Sequence, residues 1–201
     1  MKTFIPGVTA LVAGLFAIPA SAGLIWHEFE GNDCSGYFGE GEACQVFIDD
    51  EEGEAIQISP IIAKYEPNGA VDELNSDYSS FTGDEISFNG NAAGSWTYIQ
   101  GQDDPGVRYW SAKAGNGFNL FWYVDDANEQ TCSGNTYTLA CLELAEAVTE
   151  GTWFTPDEKD LSHLAFYNSK PPTYVPEPGS MALLVLGILG LGFARRRTAK
   201  A

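Results

Sequence analysis

Two histidines, four cysteines and 28 carboxylates are the groups through which this 201-residue chain could do chemistry. Their spacing decides which chemistry. Asp49-Asp50-Glu51-Glu52-Gly53-Glu54 gathers the hard oxygen donors that calcium takes. The run does not meet the EF-hand positions, and adjacent carboxylates on an extended chain point to opposite sides, so it reads as a solvated hairpin tip. Asp125-Asp126-Ala127-Asn128-Glu129 follows a strand directly and offers Asp125, Asn128 and Glu129 in a tight loop; Asp103-Asp104-Pro105-Gly106 is a turn sequence. A solvated acidic surface is expected in preference to a dedicated ion site, with no metal and no cofactor assigned.

Cys34, Cys44, Cys132 and Cys141 are even in number, and four cysteines allow three connectivities. Proximity favours Cys34 with Cys44 and Cys132 with Cys141, each closing a loop of about ten residues, worth roughly 2–3 kcal/mol apiece in the chain-entropy model. A zinc site is the rival. The nine and eight intervening residues do not fit the short Cys–Cys pairs of zinc sites, and neither His27 nor His163 stands at a ligand spacing from them.

No G-x-S-x-G elbow, H-E-x-x-H helix or phosphate-cradling glycine loop occurs. His163 falls in Leu161-Ser162-His163-Leu164-Ala165-Phe166-Tyr167, where period two puts it on a face with Leu161, Ala165 and Tyr167. A lone histidine there is expected to be packed and hydrogen-bonded, and His27 beside Trp26 has the same reading. Glycoside hydrolysis needs two acids about 5–9.5 Å apart in space, which linear spacing does not identify. No catalytic residue is assigned, and a non-enzymatic protein is expected.

The elements that must hold these groups read as short strands. Ile86 and Phe88, Trp96 and Tyr98, and the series Phe118, Leu120, Trp122, Val124 alternate with their neighbours. Val107 to Lys113 and Gly117 to Val124, joined through Ala114-Gly115-Asn116, read as a β-hairpin. Its second face carries Trp110, Phe121 and Tyr123, so one face is either a binding platform or covered by a second layer. Further strands are expected at Leu24 to Phe29, Gln45 to Ile48, Ala55 to Ser59, Thr136 to Cys141 and Ser162 to Tyr167. Ala140 to Val148 is open between helix and strand. Gly151 to Pro156 and Leu161 to Tyr167 read as a closing strand pair with Trp153 in the core. The whole is expected to be an all-β, antiparallel β-sandwich or jelly-roll-like ectodomain.

Residues 23–174 hold 27 Asp and Glu against five Lys and Arg, a net charge of −22. Nucleic acid is excluded as a partner, because phosphate binding rests on clustered Lys and Arg. An anionic membrane surface is disfavoured for the same reason. Frequent aromatics in alternating runs argue against disorder despite that charge.

Both ends of the chain carry addresses. Lys2, the mostly apolar Phe4 to Ile18 and Pro19-Ala20-Ser21-Ala22 form a secretory signal peptide, residues 1–22, cut after Ala22. The ectodomain is expected over 23–170 and the linker and tail over 171–201. At the other end, Val175-Pro176-Glu177-Pro178 precedes an apolar stretch, Met181 to Ala194, and then Arg195-Arg196-Arg197. The prolines block helix ahead of the apolar run. The arginines resist transfer through a bilayer and hold the C-terminus inside.

These residues resemble the PEP-CTERM sorting signal of Gram-negative bacteria: a Pro-Glu-Pro motif, a short transmembrane-like helix and a basic cluster. The Gly151 to Tyr167 stretch also resembles a segment of such exported proteins. The resemblance implies that an exosortase recognises the motif and removes the tail. The precursor would be held transiently in the inner membrane, then passed to the cell surface or an extracellular polysaccharide matrix. It leaves activity open. A carbohydrate-binding module or a polysaccharide-active enzyme of jelly-roll type is the alternative, since Trp and Tyr faces pack on sugar rings.

Overall fold

A computed structural model describes residues 22–50 and 52–168. The sorting motif, the basic cluster and nearly all of the signal segment lie outside them. Strands β1 (Ala22–Glu30), β2 (Ser35–Gly36), β3 (Gly39–Glu40), β4 (Gln45–Asp49), β5 (Ala55–Tyr65) and β6 (Val71–Leu74) make up the first part of the domain. The second part holds β7 (Ile86–Gly90), β8 (Ala93–Tyr98), β9 (Val107–Ala114), β10 (Gly117–Asp125), the one-turn helix α1 (Leu139–Leu142), β11 (Glu150–Phe154) and β12 (His163–Asn168).

The β9–β10 hairpin forms the centre. It reverses at Gly115-Asn116, where Gly115 takes φ +53°, a left-handed value that costs glycine little. Strands pair antiparallel in the order β1-β10-β9-β12-β5-β4, with β6 added on β5; β11-β8-β7 form a second, three-stranded sheet. The all-β, antiparallel class is therefore the one the chain adopts.

Both faces of the hairpin are covered. On one side Tyr109, Phe118, Leu120 and Trp122 pack beneath the two disulfide loops, with Phe38, Val46 and Leu142. On the other, Trp110, Phe121 and Phe166 meet Trp96, Tyr98 and Trp153 from the small sheet. Trp96 stands edge-on to both Trp110 and Phe166, at centroid distances of 5.1 and 5.2 Å. A strand buried on both faces reads as continuously apolar, which is why the hairpin carries aromatics at successive positions. The aromatic face left open in the sequence is a core and not a platform. Val107 departs from the expected alternation and packs with the small-sheet side, next to a register shift at Tyr167/Asn168.

Three segments differ from the sequence reading. Thr136 to Cys141 is not a strand: Thr138 caps α1 by accepting from the Cys141 N–H, and Cys141 is tied to Cys132. Only Leu139–Leu142 is helical in that neighbourhood; Val148 then makes a single antiparallel bridge to Val107. Gly151 to Pro156 and Leu161 to Tyr167 do not pair with each other, since β11 joins β8 in the small sheet while β12 runs between β9 and β5. Trp153 is nonetheless in the core, 1 % exposed. β5 extends past Ser59 to Tyr65, because Ile61, Ile62 and Ala63 are wholly buried and the strand changes partner from β4 to β12 near Pro60.

Register fixes where the chain enters and leaves. Ala22 lies opposite Asp125 and Asn168 opposite Val107. Asp125 and Val107 are the two hairpin ends remote from the Gly115-Asn116 turn. Both termini of the described domain therefore depart from one pole, three strand intervals or about 14 Å apart.

Candidate functional site

The Cys34–Cys44 disulfide closes a loop that follows β1 directly, and the loop turns tightly, with Phe38 N–H on the Asp33 carbonyl at 2.8 Å. That geometry drives Asp33 into the sheet. Ser111 on β9 lies opposite Ala165 on β12, and His163 and Tyr167 flank Ala165 at two residues on either side. Period two therefore places Ser111, His163 and Tyr167 in one patch beneath Asp33.

Asp33 is wholly buried and its oxygens are fully engaged. Oδ1 accepts from the Cys34 N–H at 2.7 Å and meets His163 Nε2 at 2.7 Å; Oδ2 accepts from Ser111 Oγ at 2.5 Å. Tyr167 Oη lies 3.2 Å from Ser111 Oγ and 3.4 Å from Cys34 Sγ. Burial by itself would raise the Asp33 pKa. The hydrogen bond and charge of His163, the Ser111 hydroxyl and the Cys34 N–H outweigh that and hold it below the usual carboxylate range. Tyr167 is pushed well up by burial and by the Asp33 charge, so it stays a neutral phenol.

Serine, aspartate and histidine are the residue types of nucleophilic hydrolases, where serine hydrogen-bonds histidine and aspartate orients the far imidazole nitrogen. Here aspartate occupies the middle. The Ser111 hydroxyl is directed to a carboxylate and sealed from solvent, so the arrangement clasps the disulfide loop onto β9 and β12. Sequence reasoning expected a hydrogen-bonded His163 but missed Asp33 and Ser111. The available signal was Asp33 beside a bridged cysteine, together with a serine on an otherwise apolar strand.

His27 is packed as expected. Its Nδ1 lies 3.1 Å from Thr136 Oγ1 and its ring stacks on Tyr137, and burial lowers its pKa. The disulfides are Cys34–Cys44 and Cys132–Cys141. Among the described residues, no group of three or more His, Cys, Asp or Glu is placed to hold a metal. Asp50 Oδ1 accepts from the Glu52 and Glu54 N–H groups, both at 2.8 Å, which makes the β4–β5 tip an Asx-type turn. Asp125 Oδ1 likewise accepts from Ala127 N–H.

The outer face of the small sheet carries two cross-strand rows of polar side chains. Ser87, Thr97 and Glu150 lie in one cross-strand row, and Asn89, Ser95 and Thr152 in the next. Ser87 and Thr97 are hydrogen-bonded at 3.0 Å, Asn89 and Ser95 at 3.2 Å. Five of the six side chains are uncharged hydroxyls or amides.

Residues 175–197 match the family model of the PEP-CTERM protein-sorting motif. The chain is thus an exported protein of the kind that exosortase sorts, and the match contains Val175 to Pro178 and Arg195 to Arg197. Neither a curated protein nor a solved structure matches the chain. Among the described residues, no helix is long and apolar enough to cross a membrane.

Proposed function

We propose that this is a non-enzymatic surface or matrix protein, a disulfide-stapled acidic β-domain delivered to the outer envelope or an extracellular polysaccharide. The observation that carries this reading is the direction of the Ser111 hydroxyl. The Ser111 hydroxyl, a group suited to nucleophilic chemistry, is buried and turned inward onto Asp33, where it clasps the loop to the sheet. The net charge of −22 over residues 23–174 favours a solvated, self-repelling molecule outside the cell. Fractionation of cells expressing the full chain, with turnover assays on labelled polysaccharides, tests the proposal. Recovery in the envelope or matrix without turnover is the expected result; polysaccharide cleavage that a Ser111→Ala variant abolishes would overturn it.

A second reading, carbohydrate binding, is favoured by the uncharged hydroxyl and amide grid on the small sheet, which offers donors and acceptors to a neutral polyol without charge repulsion. Glycan-array binding by the exported protein tests it, with Thr97→Lys and Thr152→Lys expected to remove any signal.

A further inference from the structure

Gly23 is the residue that signal-peptide cleavage after Ala22 would turn into the N-terminus, and its surroundings are specific. Glu129, in the 3₁₀ turn Asp126–Cys132, lays its side chain against the Gly23 backbone: a Cβ built on Gly23 would stand 2.9 Å from Glu129 Cδ and 3.2 Å from Cγ, and nearer still to Oε1. Glycine leaves that space to the carboxylate. The neighbouring Asp125 is otherwise engaged, since its Oδ1 accepts from the Ala127 N–H, whereas among the described residues the Glu129 carboxylate has no hydrogen-bond or ion-pair partner. Beside it, Ala22, Tyr123, Val148 and Glu150 line an open depression. The 3₁₀ turn is itself fixed, because its last residue, Cys132, is bridged to Cys141.

We infer that Glu129 is the docking site for the α-ammonium that cleavage creates on Gly23. In the precursor, residue 23 carries a neutral peptide nitrogen and Glu129 faces an uncharged backbone. After cleavage the same nitrogen is a cation next to that carboxylate, and the new ion pair pins the start of β1 to the Asp126–Cys132 turn, which the Cys132–Cys141 disulfide anchors at its last residue. Processing thereby tightens a strand that, among the described residues, pairs on one side only, with β10. The inference rests on the reading of an exported, leader-cleaved chain, and it places the cut between Ala22 and Gly23.

Two measurements test it. Mass spectrometry of the exported protein is expected to give Gly23 as the first residue; any other start overturns the inference, whatever the final location of the protein. Full chains through Ala201 are then prepared beginning at Gly23 or at Ser21, each with Glu129 or with E129Q. E129Q is expected to lower Tm by about 2–4 °C when Gly23 is terminal, the size of shift a surface ion pair gives a domain of this length, and by less than half of that when Ser21 and Ala22 precede it. Equal shifts in the two backgrounds, or none in the Gly23 chain, overturn the inference. Surface delivery of an E129Q chain would leave the proposed function intact while the docking site failed.

Discussion

Ser111 gives its hydroxyl hydrogen to Asp33, 2.5 Å away, and Asp33 in turn holds His163 at 2.7 Å. This order, with the carboxylate between the hydroxyl and the imidazole, makes the group a clasp. Removing one partner of such a buried pair costs about 3–5 kcal/mol, because the remaining polar atoms lose their compensation. Asp33→Asn is therefore expected to lower Tm by roughly 10 °C, a magnitude set by the domain's length, in a calorimetric scan near neutral pH. A shift under about 2 °C would show that the clasp contributes little.

The same carboxylate sets an acid limit. Its folded pKa lies below the unfolded value of about 3.9, so its contribution is fully present above that pH and is lost as pH falls through the folded pKa. The stability gap between wild type and D33N is expected to be constant from pH 5 to 7 and to close in stronger acid. Urea midpoints measured across that range check it; a gap that widens below pH 4 contradicts the sign.

The two disulfides close loops of similar length, separated by ten and nine residues, so chain entropy alone predicts nearly equal losses on removal. The Cys34–Cys44 bridge also holds Asp33 in place. The C34A/C44A pair is expected to lose about 2–3 kcal/mol more than C132A/C141A, the difference being the clasp. Chemical denaturation of both variants decides it, and equal losses would separate the bridge from the clasp.

Gly151 permits β11 to lie on the central aromatics. A Cβ there would stand 2.7 Å from Trp96 Nε1 and 2.9 Å from Trp110 Cζ2, both wedged in the inter-sheet core. Gly151→Ala is expected to cost about 1–3 kcal/mol by overpacking. Near-UV circular dichroism should change with it, since both tryptophans must move; an unchanged spectrum and stability would show that the sheets separate freely.

Processing rests on residues outside the described domain. Changing Glu177, or Pro176 and Pro178 together, is expected to leave the precursor in the membrane fraction with its tail attached. Immunoblotting for a C-terminal tag checks this, and normal release of the variant would contradict recognition at Val175 to Pro178.

Much of this protein was legible without coordinates. The β9–β10 hairpin followed from alternation and a Gly-Asn turn, the cysteine pairs from proximity, and the destination from a contiguous C-terminal signal. Each of these is local, carried by residues within a few positions of one another. Thr136 to Cys141 misreads as a strand and Ala140 to Val148 stays open between helix and strand, because the Thr138 cap and the Cys132–Cys141 bridge, which decided for a helical turn over Leu139–Leu142, are not visible in residue alternation. The separation of β11 from β12 was equally invisible, since partner choice depends on which apolar face each strand meets.

The amino-acid order by itself determined the all-β class, the acidic surface and the sorting address, because period, charge and motif are properties of neighbours along the chain. Only the tertiary structure decided that Asp33, Ser111, His163 and Tyr167 meet, and that Glu129 lies against Gly23. Those contacts join residues from 56 to 130 positions apart in sequence, and burial is what gives those of Asp33 their strength. The Asp33 carboxylate is a stable anion there because loop, β9 and β12 deliver their donors to one point and exclude water from it.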